Sequence, residues 1–116
     1  MTTYTKVMFS SSTNGKSILL SGTATPGTMI HTPPTGTSGF DEVWLYGMNT
    51  STTPTKVTLE WGETTAPNGN IEVTIPGEAG LVLIVPGLVI QNSLPIRAFA
   101  GTANVITILG FINRIT

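Results

Sequence analysis

Polar and apolar residues alternate along most of this chain with the two-residue period of β-strands. Lys56-Val57-Thr58-Leu59-Glu60-Trp61 places Val57, Leu59 and Trp61 on one face, and Ile71-Glu72-Val73-Thr74-Ile75 repeats the pattern. An apolar row backed by a polar one marks a half-buried antiparallel strand. Turn signals recur at Asn14-Gly15, Pro26-Gly27, Pro33 to Gly39, Thr50 to Pro54, Pro67-Asn68-Gly69, Pro76-Gly77, Pro86-Gly87 and Asn92 to Pro95. Glycine supplies positive φ there, and proline presets φ near −65°. No stretch carries a 3.6-residue apolar stripe. The pattern predicts strands near 4–9, 17–22, 28–32, 40–48, 55–62, 70–75, 80–85, 87–91, 95–99 and 104–114, with one or two irregular, so about eight or nine in all. Such spacing predicts an all-β fold: a single-domain antiparallel β-sandwich, jelly-roll-like, over residues 16–116. Residues 1–15 are polar and weakly patterned and read as an extended N-terminal arm.

Three segments break the in-out alternation. Val43-Trp44-Leu45-Tyr46, Leu81 to Val85 and Val105 to Ile112 are apolar on both faces. In the last, Val105, Leu109 and Phe111 face one way and Ile106, Ile108 and Ile112 the other. Strands buried on both faces are ordinary under covering helices, but this pattern holds none. A second layer from another subunit is the expected cover; loops such as 31–40 folding over the outer face are the alternative. The expected subunit interface therefore takes one face of each of two strands: Trp44, Leu45 and Tyr46 on the first, Ile106, Ile108 and Ile112 on the second. Leu81 to Val85 is expected in the core.

Composition sharpens this reading. Only 9% of the 116 residues are charged, against about 25% in ordinary soluble domains. A monomer of 12.2 kDa exposes roughly 6,000 Å², so its charge cover is thin, and mean hydropathy is +0.26. Much of the surface is expected to be covered by copies of the chain or by a larger assembly. A net charge of −1 with scattered basic residues gives no footprint for phosphates, which argues against a nucleic-acid partner. The apolar run 79–90 is broken by Pro86-Gly87 and is too short to span a bilayer, so no membrane partner is expected. The first residues lack the order of a signal peptide, which implies synthesis in a cytoplasm. The absence of cysteine excludes disulfides and thiolate metal sites.

Catalytic chemistry finds little to work with. His31 is the only imidazole; a nucleophilic triad would need it beside a hydroxyl and an orienting carboxylate. No Gly-x-Ser-x-Gly elbow accompanies it, and it reads as a strand residue beside a proline-rich loop. Asp41 and Glu42 are adjacent and point to opposite faces of an extended segment. Glu60 and Glu72 read as solvated positions. Pro67-Asn68-Gly69-Asn70 reads as a hairpin turn and not a calcium loop. No catalytic residue, metal site or cofactor is expected. Phe40, Trp44, Tyr46 and Trp61 admit a sugar-stacking platform, although Trp61 continues an inward row.

The stretches Phe40 to Thr50 (Phe-Asp-Glu-Val-Trp-Leu-Tyr-Gly-Met-Asn-Thr), Ile71 to Leu88 and Ile96 to Ile115 resemble small structural proteins of tailed-bacteriophage virions, above all the capsid decoration, or cement, proteins. The resemblance implies a β-rich homotrimer on the outer surface of the head, at threefold or quasi-threefold positions. There it would clamp neighbouring major capsid protein subunits after shell expansion. The expected location is the virion, after synthesis in the host cytoplasm. The alternative is a carbohydrate- or receptor-binding module of a tail or fibre, or another small neck or tail component.

Overall fold

A computed structural model describes residues 2–116. Nine strands form: β1 (Tyr4–Val7), β2 (Ile18–Leu19), β3 (Thr28–His31), β4 (Phe40–Asn49), β5 (Thr55–Trp61), β6 (Asn70–Ile75), β7 (Val82–Ile90), β8 (Ile96–Ala100) and β9 (Ile106–Ile115). No helix occurs among the described residues. The front sheet runs β1-β9-β4-β7, with β2 also on β9, and the back sheet runs β3-β8-β5-β6. Every pairing is antiparallel. With the two-residue β2 set aside, the remaining strands pair first with last, second with seventh, third with sixth and fourth with fifth. That is the winding of a jelly roll, two Greek keys rolled into two facing sheets.

The pattern places most strands to within a few residues because alternation and turn chemistry act together. The exception is Pro86-Gly87, which lies inside β7. The register with β4 shifts between Val43 and Trp44 and again between Leu45 and Tyr46. Gly87 at φ 85° absorbs one of these bulges, so the strand bends and continues instead of turning back.

The inward rows meet in one core. Val43, Leu45, Val57, Leu59, Ile75, Val85, Ile96, Ala98, Ile106, Ile108 and Ile112 are fully buried. Two expectations are corrected here. Leu45, Ile106, Ile108 and Ile112 are core residues of the chain itself, not subunit contacts, because β4 and β9 turn those rows toward the back sheet. Within Leu81 to Val85 only Val85 is buried, since β7 is a sheet edge and its outward residues have no neighbour beyond.

The N-terminal segment is no free arm either. Residues 4–7 pair with β9, and Phe9, the last of the apolar run Val7-Met8-Phe9, is buried in the core. Phe9 lies where Gly110 leaves room. A β-carbon at Gly110 would overlap the carbonyl oxygen of Trp44 and press on the Phe9 ring. Gly110→Ala is therefore expected to destabilise the fold by about 3 kcal/mol or more through overpacking against backbone. A lowered urea midpoint would show it, and an unchanged one would refute the close approach.

The two outer faces differ. On the back sheet, the segment after Gly22 folds across the outer side. The Ala100 N–H donates to the Gly22 carbonyl at 3.3 Å, and the Gly27 N–H donates to Glu60 at 2.6 Å. Thr25 donates to the other Glu60 oxygen, and Arg97 donates to the Gly27 carbonyl. Glu60, expected in solvent, is 1% exposed with both oxygens bonded. Among the described residues the front sheet has no such strap.

Candidate functional site

The outer face of the front sheet is built by β1, β9, β4 and β7. Direct partners across the ladder share a face, so the register fixes its rows. Tyr4, Ile115 and Phe40 form the first, Lys6, Asn113 and Glu42 the second, Phe111 and Trp44 the third, Leu109 and Tyr46 the fourth, Thr107 and Met48 the last. Leu83 continues the Tyr46 row onto β7. Of the expected interface residues, Trp44 and Tyr46 lie here, half-buried within the chain. Their true companions on β9 are Thr107, Leu109 and Phe111, the row opposite to Ile106, Ile108 and Ile112.

Trp44 is held from all sides. Its ring stacks on Phe111 with centroids 6.3 Å apart and planes 12° from parallel. The Lys6 ammonium lies 4.8 Å from the Phe111 centroid, within cation–π range. The Trp44 indole N–H donates to Glu42 at 2.7 Å, and the Asn113 amide donates to the same oxygen at 3.0 Å. The hydrogen bonds from Asn113 and Trp44 hold the Glu42 carboxyl below its ordinary range. Gly87 passes the indole where a β-carbon would come within 3.0 Å. The result is an aromatic platform whose central indole has its N–H satisfied and its ring held in place before contact, which lowers the cost of association; at the far end of the face the Thr107 hydroxyl is buried without a partner among the described residues. Lys6 and Glu42 are its charged members and share one row. Phe40 lies on this face, but Trp61 belongs to the back sheet, so the four aromatics do not form one surface.

A second cluster lies at the end of the sandwich where Thr3 pairs with Thr116. His31 at the end of β3 is 1% exposed, and Asp41 at the start of β4 is fully buried. Asp41 faces Arg114 directly across the β4–β9 ladder. Arg114 donates twice to it, Nε to Oδ1 at 2.8 Å and Nη2 to Oδ2 at 3.0 Å. His31 Nε2 lies 2.7 Å from Asp41 Oδ2, and His31 Nδ1 accepts the Ser10 backbone N–H at 3.0 Å. The amide fixes the tautomer: Nδ1 must carry the lone pair, so Nε2–H donates to Asp41. Burial lowers the His31 pKa, against the raising effect of Asp41. For Asp41, burial works upward, but the hydrogen bonds from Arg114 and His31 prevail and its pKa is lowered. Neither ring nitrogen is open to a substrate. The cluster ties the N-terminal segment to the sandwich, helped by the Phe9 ring 6.0 Å from the imidazole. Asp41 and Glu42 point to opposite faces as expected; the closure of Asp41 on His31 and Arg114 was not legible, because it depends on a pairing more than seventy residues apart in sequence.

Next to this cluster, Pro33, Pro34, Phe40, Gln91 and Arg114 line a cavity of about 90 Å³, well below the size of ordinary ligand pockets. No group of three or more His, Asp or Glu side chains converges as a metal site among the described residues. Compared with protein-family models, curated proteins and solved structures, the chain matches none.

Proposed function

We propose that the protein is a structural virion component, a capsid decoration (cement) protein that binds the outer surface of a phage head and reinforces contacts between major capsid protein subunits. The observation that supports this most is the outer face of the front sheet: a charge-poor aromatic platform, its central side chains partly exposed, that no loop covers among the described residues. Large apolar patches of this kind mark contact surfaces, and interface cores favour aromatic residues with few charges. A jelly roll is also a common architecture of capsid and lectin domains. The sequence resemblance to decoration proteins points the same way. The reading is non-catalytic, and involves neither cofactor, nucleic acid nor membrane.

In this reading the protein assembles as a homotrimer through the platform, with Trp44, Tyr46, Leu109 and Phe111 at its centre. Three linked contacts on a shell raise avidity through effective concentration, so each can be modest. Light scattering over a range of concentrations is expected to give a mass near three protomers. Tyr46→Asp is expected to give folded monomers that no longer decorate expanded heads. A monomeric wild type that neither decorates heads nor responds to Tyr46→Asp would overturn the proposal; a shift in Trp44 fluorescence on adding soluble glycans would favour the carbohydrate-binding alternative.

A further inference from the structure

The N-terminal segment is fastened to the sandwich at one titratable point. Its strand β1 buries little: Tyr4, Thr5 and Lys6 are exposed and Val7 is half-buried. Phe9 is the one core side chain that the segment supplies. Beyond Phe9 the backbone docks on the end of β3. The Ser11 N–H donates to the Ile30 carbonyl at 3.2 Å, the Thr32 N–H to Ser10 Oγ at 2.9 Å, and the Ser10 N–H to His31 Nδ1 at 3.0 Å. A turn follows at Thr13 to Lys16, closed by the Lys16 N–H on the Thr13 carbonyl at 3.0 Å, with Asn14 and Gly15 at φ 54° and 88°. After it, Ile18 rejoins β9. Few buried contacts, bounded by a turn, mark a segment that can open separately from the core.

His31 meets four neighbouring segments. β4 brings Asp41 and β9 brings Arg114, the charged groups that act on the ring. β8 sets Ile96 opposite it across the ladder, and the N-terminal segment adds the Phe9 ring and the Ser10 amide. With His31 neutral, one carboxylate and one guanidinium balance. A second ring proton adds an uncompensated positive charge at a position 1% exposed, which is costly away from water. That proton has a single destination. Nε2–H already faces Asp41 at 2.7 Å, so the proton lands on Nδ1, directly against the Ser10 N–H. Two donors then meet where a donor met an acceptor. Asp41 and Arg114 are held in the β4–β9 ladder. Ser10 is exposed and lies outside every ladder, so it is the partner that gives way, and its departure lets water reach Nδ1.

We propose that the His31–Ser10 contact is an acid-released latch: protonation of His31 frees residues 2–12 from the sandwich about the turn at 13–16, while the two sheets stay folded. Burial lowers the affinity of the closed ring for a proton, so the proton favours the open form. Opening becomes easier as pH falls below the imidazole's ordinary 6.5 and stops gaining once pH is below the closed-state value. The event is local but changes the front sheet. β9 loses its β1 partner over Ile112 to Ile115, which leaves an unpaired strand edge, and Lys6 leaves the Phe111 ring. The latch stands apart from the virion reading, and either can fail without the other.

Amide hydrogen exchange in the full chain, corrected for its intrinsic pH dependence, tests the latch. The hydrogen-bonded amides of residues 5–12 are expected to be less protected than those of Val43, Leu59 and Ala98 by about tenfold or more at every pH. Between pH 7 and pH 5 their protection is expected to fall by about tenfold. Equal protection of the two sets throughout would mean that the segment leaves only with the whole fold, and would overturn the proposal. His31→Gln keeps a donor for Asp41 and an acceptor for Ser10 but does not titrate. In that variant the protection of residues 5–12 is expected to be flat over the same interval; a fall as steep as in the wild type would refute the role of His31. The wild-type ring gives a readout that needs no variant. Its nitrogen-15 shifts are expected to show the lone pair on Nδ1 at pH 7, lost over the interval in which protection falls. Ring protonation without faster exchange in residues 5–12 would overturn the latch.

Discussion

Asp41→Ala is expected to destabilise the protein by about 3 kcal/mol, the low end of the range for breaking a buried ion pair. The low end applies because the Arg114 side chain keeps 28% exposure and can reach water, whereas His31 loses the acceptor for its Nε2–H and stays buried. The same cluster sets the response to acid. The folded pKa of His31 lies below its ordinary 6.5, so as pH falls through that value the unfolded chain takes up the proton first. Stability then drops until the folded-state pKa is reached. Asp41 adds a second window: its folded pKa lies below 3.8, so its contribution is present above that value and lost as pH falls through the folded one. Both slopes have the same sign, and stability declines from about pH 6.5 downward. His31→Gln is expected to remove the upper window and Asp41→Asn the lower. Urea midpoints measured from pH 7 to pH 3 check both, and a flat profile in the wild type would refute the assignment.

Ile108→Asp is expected to prevent folding altogether. Ile108 is fully buried between Ile18 on one side and the inward row of β4 on the other. A carboxyl group there has no partner; even neutralised by an upward pKa shift, its burial together with the lost Ile108 packing offsets most of the roughly 5–15 kcal/mol that holds a domain of this size together. Phe111→Asp, three residues on but on the outer face, is expected to leave a folded protein with a melting temperature lowered by only a few degrees and with self-association lost. The contrast between the two, read by circular dichroism and by mass in solution, decides which face of β9 is core. Two folded variants of equal stability would show that both faces are open.

The strands were legible because alternation and turn residues agree at nearly every boundary. The two faces of β9 were also legible as sets. Which set turns inward was not, since Ile106, Ile108 and Ile112 are no more apolar than Leu109 and Phe111. A clue lay in Gly110, which shares the Ile108 row and needs its missing β-carbon for Phe9. Val7-Met8-Phe9 is a short apolar run at the end of the strand expected near 4–9, but with polar residues on both sides it does not show that the segment belongs to the sandwich. Glu60 misled for a different reason: its place on the polar face of β5 was read correctly, but the loop at 22–27 that buries it is set by tertiary packing alone. The exposed face of β7 followed from its being an edge, and edge position is a property of sheet order, not of local pattern.

The pairing of first strand with last has a consequence in time. β9 is the bridge between β1, β2 and β4, and it is the final strand in chain order. Until it is in place, β1 and β2 have no ladder to join and one edge of β4 lacks its partner. A growing chain therefore gains little by ordering its early residues, and the sandwich closes in one late, long-range step. Folding of so non-local a topology falls in the millisecond-to-second range. Removal of Thr107 to Thr116, nearly all of β9, is expected to leave the remaining strands without a stable arrangement.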